Sequence, residues 1–99
     1  MSRYQFTPQA IDDLLEIWAY VARDNATAAD RLEDAIYRAC SLLADSPLRG
    51  HIRNDLTTRT LRFWTIQQYR NYIVVYDPET TPLQIVRILH GARNFTALL

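Results

Sequence analysis

Two amphipathic helical segments follow each other in the first half of this chain, and very few residues separate them. Thr7-Pro8 reads as a helix start, with Thr as N-cap and Pro at the first helical position. Ile11, Leu14, Leu15 and Trp18 then recur at i, i+3, i+4 and i+7, with Val21 or Ala22 next, while Asp12, Asp13 and Glu16 take the other face. The spacing predicts an end near Asp24-Asn25. Thr27 with Asp30 resembles a capping box for a second helix. That helix carries Leu32, Ile36, Ala39, Cys40 and Leu43 on one face and is stopped by Pro47 and Gly50. Helices joined so tightly form an antiparallel hairpin. Their apolar stripes face the same way and need a hydrophobic surface to cover.

The second half supplies that surface as strands. Residues 49–60 read as polar and turn-like. Leu61 to Thr65 alternates, and Tyr69 to Tyr76 contains Tyr72-Ile73-Val74-Val75-Tyr76, apolar on both faces, as in a central strand. A turn with two prolines, Asp77 to Pro82, leads to a last strand, Leu83 to Leu89. Arg3 to Phe6 is compatible with an edge strand, and Asn94 to Leu99 with one helical turn or a frayed tail. The order β-α-α-β-β-β predicts a single α+β domain over 1–99, with the hairpin on one face of a twisted antiparallel sheet. A chain of 99 residues cannot cover both faces with its own helices, so one face should stay partly open.

Composition narrows the chemistry. No run of 18 apolar residues occurs, so no membrane span or membrane partner is expected. The N-terminus has no apolar stretch of signal-peptide length. A lone Cys40 rules out an internal disulfide and a cysteine zinc site. The expected compartment is the cytoplasm. There is no glycine-rich phosphate loop and no local Ser/His/Asp signature, and His51 and His90 lack metal-ligand spacing. No metal or cofactor is expected, and no catalytic residue is assigned. All 11 basic residues are arginine. Residues 1–48 carry four of them against eight acids, and residues 49–99 carry seven against three. This acidic first half and basic second half imply a partner surface.

Alternation places candidates on the open face. If Leu61 and Phe63 face the helices, Arg62 and Trp64 face outward. If Val86 and Ile88 face the helices, Arg87 faces outward too, beside Ile85 and Leu89. Arginines mixed with large apolar groups suit a protein- or nucleic-acid-binding groove. The plainer use of Arg62 and Arg87 is to pair with helix acids or to screen the sheet. Trp18 is expected in the core, and Cys40 is expected to be buried and inert.

The chain resembles the ParE branch of the RelE/ParE toxins of bacterial toxin–antitoxin pairs. Thr7-Pro8-x-Ala10, Asp13-Leu14 and Ile17-Trp18-x-Tyr20 match the family's first helix, and Ala29-Asp30-Arg31-Leu32 the start of its second. Pro47, Gly50 and Arg53 fall at its turn. Leu61-Arg62, Tyr69, Tyr72 and Tyr76 fall on its strands, and Arg87-Ile88-Leu89-His90-Gly91-Ala92-Arg93-Asn94 is the most specific piece. The resemblance implies inhibition of DNA gyrase without covalent chemistry and neutralisation by a cognate antitoxin. The antitoxin's disordered C-terminal segment wraps the toxin, and operator DNA is met only through the antitoxin. Arg62, Trp64, Arg87, His90 and Arg93 are then the residues expected to meet target or antitoxin. RelE-like relatives instead cleave messenger RNA on the ribosome with basic groups, often lysine, and a C-terminal Tyr or His. This chain has no lysine and no Tyr or His after His90. Arginine stays protonated and cannot act as a base. A ribonuclease is therefore the alternative, and a remnant that only binds antitoxin and assists repression is a third. Asn94 stands where the family commonly has Asp.

Overall fold

Thr7 and Asn25 set where the helices begin. In the computed structural model, which describes residues 3–91, the Thr7 hydroxyl accepts from the Ala10 N–H at 3.1 Å and opens α1 (Pro8–Ala22). The Asn25 side chain accepts from the Ala28 N–H at 3.0 Å and opens α2 (Ala26–Asp45). Asn25, not Thr27, is thus the second cap. Around the helices lie β1 (Tyr4–Phe6), a 3-10 turn (Pro47–Arg49), β2 (His51–Ile52), β3 (Arg62–Thr65), β4 (Tyr72–Asp77) and β5 (Leu83–His90). The sheet order is β1-β5-β4-β3-β2. β1 runs parallel to β5 and every other pairing is antiparallel, so the α+β sheet is mixed. The expected C-terminal turn, Arg93 and Asn94 lie outside the described residues.

The stripe of α2 is as the spacing predicts: Leu32, Ile36, Ala39, Cys40 and Leu43 are all buried. The stripe of α1 is rotated. Ala10, Asp13 and Leu14 are buried and Ile17 and Val21 pack against the core, whereas Ile11 is 46% and Leu15 62% exposed. Trp18 is only partly buried, and its indole N–H donates to Asp30 at 2.9 Å. A carboxylate takes a core-facing place because it is fully used there. Asp13 accepts from Arg87 Nε at 2.7 Å, from Arg87 Nη2 at 2.8 Å and from the Ile88 N–H at 3.0 Å.

Two apolar clusters sandwich the sheet. The larger joins Leu32, Ile36 and Leu43 of the hairpin to Val74, Tyr76, Ile85 and Ile88. The smaller holds Leu61, Phe63, Val75, Val86 and Leu89, all 7% exposed or less, with Leu56 and Ile73 against it. The far face is therefore a second small core and not the open surface expected. β3 also has the opposite phase. Phe63 sits opposite Val75 in the second cluster, while Trp64 sits opposite Val74 and packs against the hairpin cluster. On β5 the register slips, because Val75 faces Arg87 and Tyr76 faces Ile85, leaving Val86 as the extra residue. The bulge puts both Val86 and Leu89 in the second cluster and both Ile85 and Ile88 in the first.

Candidate partner-binding surfaces

The residues expected on one open face divide between two concave surfaces, one at α2–β3 and one at α1–β5. Arg62 does not face away from the hairpin. Its Nη1 donates to the carbonyls of Gly50 at 2.7 Å and Leu48 at 3.3 Å. Tyr76 grips the same turn, with its hydroxyl donating to the Pro47 carbonyl at 2.7 Å and accepting from the Gly50 N–H at 2.8 Å. Burial pushes the Tyr76 phenol up, while the Gly50 N–H and nearby Arg62 pull it down. Gly50 must be glycine for this close approach, since a Cβ there would lie 2.5 Å from the Tyr76 hydroxyl.

The turn so fixed presents Leu48, 72% exposed, and Arg49, whose guanidinium lies 5.9 Å from the centre of the Trp64 ring. Beside Trp64 a groove of about 220 Å³ runs between α2 and β3, with Ala35, Ala39 and Leu42 along α2 and Arg38 at its edge. Small alanines open the groove, Arg38 lines it, and Arg49 lies beside its Trp64. This surface suits an apolar segment bearing carboxylates. Sequence reasoning found Trp64 but not Arg38 or Arg49. The helical phase of α2 places Arg38 beside Ala39 but cannot say which strand comes next to it.

Arg87 is paired with Asp13, and its side chain is 15% exposed. Its rung partner Val75 belongs to the far cluster, yet its guanidinium reaches α1, in the plainer pairing role considered above. Hydrogen bonding to Asp13 is the main cause that raises its pKa and keeps it charged. His90 lies opposite Tyr72, with the two rings edge-on at 5.1 Å. Both line a cavity of about 530 Å³ between α1 and β4–β5, together with Glu16, Ile17 and Tyr20 of the helix. Tyr20 is 70% exposed. Burial raises the Tyr72 phenol first, and the nearby Tyr20 adds to the shift. Glu16 and Tyr20 went unnoticed in the sequence as site residues, although they share one helix face at i, i+4.

Among the described residues, no group of three or more His, Cys, Asp or Glu could hold a metal ion, and no helix is long and apolar enough to cross a membrane. No curated protein matches the chain. A solved structure described as the chromosomal ParDE TA system from P. aeruginosa shares its fold, with a TM-score of 0.71 at 20% identity, covering 88% of this chain and 92% of that one. The model of the ParE toxin of the type II toxin–antitoxin system, parDE, matches residues 4–95. With nearly the whole chain matched and the hairpin-on-sheet fold in place, this protein belongs to the ParE toxin family of type II toxin–antitoxin systems.

Proposed function

We propose that the chain is a toxin that inhibits DNA gyrase by binding it, without making or breaking a covalent bond, and that a cognate antitoxin neutralises it. Membership of the ParE family carries this reading. Two details support it over RNA cleavage. Arg62 is engaged by two backbone carbonyls and Arg87 by Asp13, so both serve the fold. Arginine in any case cannot exchange a proton near neutral pH. The antitoxin's acidic, apolar segment fits the Trp64 groove, where Arg38 and Arg49 meet its carboxylates and Trp64 its apolar side chains.

One assay tests both parts. Purified protein added to gyrase, ATP and relaxed plasmid should block supercoiling, and equimolar antitoxin should restore it. With Arg49→Glu the block should persist while about tenfold more antitoxin is needed for rescue. Unchanged supercoiling at excess toxin, with messenger RNA cut in a translation extract, would favour the ribonuclease instead.

A further inference from the structure

We propose that the α1–β5 cavity is a second docking site, which takes an arginine side chain from a basic segment of a protein partner. Three observations converge on that occupant. The first is charge. α1 carries Asp12, Asp13 and Glu16 and no basic residue, and Asp12 and Glu16 are exposed. Asp13 is spent on Arg87, and Glu16, which also lies within the field of Arg87, is the exposed carboxylate on the cavity wall. The second is the wall itself. Tyr20 comes from the helix and Tyr72 from the sheet, and His90 is edge-on to Tyr72. Tyrosine faces attract a planar guanidinium, which stacks on a ring while donating to a carboxylate. The third is size. About 530 Å³ above a floor of Ile17 and Ile88 admits a long side chain with its apolar stem buried and its head at Glu16.

An acidic segment is disfavoured here by the same field that disfavours a basic one at Trp64. The two sites therefore sort partners by charge. Arg23, which caps α1 and also lines the cavity, opposes the proposed occupant. Both it and Glu16 are exposed and equally screened, so the preference for a guanidinium rests on Glu16 together with the Tyr20 and Tyr72 rings. This gives the proposal a signed test, in which losing Glu16 and losing Arg23 must act in opposite directions.

The site does not depend on gyrase being the target, so its test omits gyrase. The probe is a fluorescein-labelled peptide of Gly-Ser-Arg repeats, read by anisotropy at low salt against the same peptide with citrulline for arginine. The arginine peptide should bind the full chain, and the citrulline peptide at least about tenfold more weakly. Glu16→Gln and Tyr20→Ala should each weaken binding by about tenfold, and Arg23→Gln should tighten it about threefold. Asp34→Asn, which removes an exposed α2 acid away from the cavity, should leave binding within about twofold. Equal binding of both peptides would overturn the proposal. So would an equal loss in Asp34→Asn, which would reduce the effect to bulk charge attraction. Tighter binding of a Gly-Ser-Asp peptide would assign the cavity to an acidic partner instead. Circular dichroism on each variant separates lost binding from lost folding.

Discussion

Asp13 is where one side chain decides most. Its carboxylate is 5% exposed and holds both the Arg87 fork and a backbone N–H of β5. Asp13→Ala leaves a partly buried guanidinium and a buried amide without that acceptor, which costs about 3–5 kcal/mol. Urea denaturation should show a large drop in midpoint, and a loss below about 1 kcal/mol would mean that water replaces the carboxylate. The sequence shows this aspartate plainly yet hides its role. Helical spacing sorts residues by polarity, so a buried, paired carboxylate turns the inferred face of α1 the wrong way and brings Ile11 and Leu15 inward on paper. Cys40 was legible, because an apolar neighbour set needs no partner to explain it. Burial pushes its thiol from 9.0 to about 12. The folded state thus holds its proton where the unfolded chain has lost it. Stability from this group is intact below pH 9 and declines toward pH 12, by at most about 1.4 kcal/mol per pH unit. Native protein should resist iodoacetamide at pH 8 and react fully in urea. Cys40→Ala should lessen the alkaline decline between pH 9 and 10, before Tyr72 and Tyr76, whose phenols burial also raises, add to it. Rapid native alkylation would contradict the burial.

At the scale of elements, the Pro47–Gly50 turn shows how a short segment becomes rigid without regular structure of its own. Tyr76 reaches it from the centre of the sheet and Arg62 from β3. Tyr76→Phe keeps the ring but strands the buried Gly50 N–H, with an expected loss of about 1–3 kcal/mol. It should also loosen Arg49 from Trp64, seen as a change in tryptophan fluorescence, and an unchanged spectrum with unchanged stability would refute the bracing role. The elements themselves were mostly legible. Both helices and the last three strands follow from periodicity, α1 also from its Thr7 cap, and β1 from a short segment compatible with an edge strand. β2 was not, since two exposed residues inside a polar stretch carry no pattern. The phase of β3 was not legible either. Leu61 and Phe63 are apolar, as a hairpin-facing pair should be, but a sheet with a core on each face gives apolarity no direction. The bulge at Val86 compounds this on β5, because one extra residue breaks alternation without a glycine or proline to mark it.

On the scale of the whole molecule, arginines lie around the Trp64 groove and acids along α1. Composition revealed the imbalance but not the places, which depend on how hairpin and sheet meet. The same meeting guards a sheet margin. β1 pairs with only Leu83 to Ile85 of the eight-residue β5. Beyond it, the Thr7 hydroxyl donates to the Val86 carbonyl at 2.7 Å and Asp13 takes the Ile88 N–H. Without them, Val86 to Leu89 would offer unpaired backbone groups on an apolar strand, a ready template for another molecule. Asp13→Ala should therefore form thioflavin-positive fibrils faster than Leu14→Ala compared at matched folding free energy. Equal rates would trace fibrils to unfolding alone. Read this way, the first helix is also a stopper, and the aspartate on it should keep one copy of the chain from zipping onto the next.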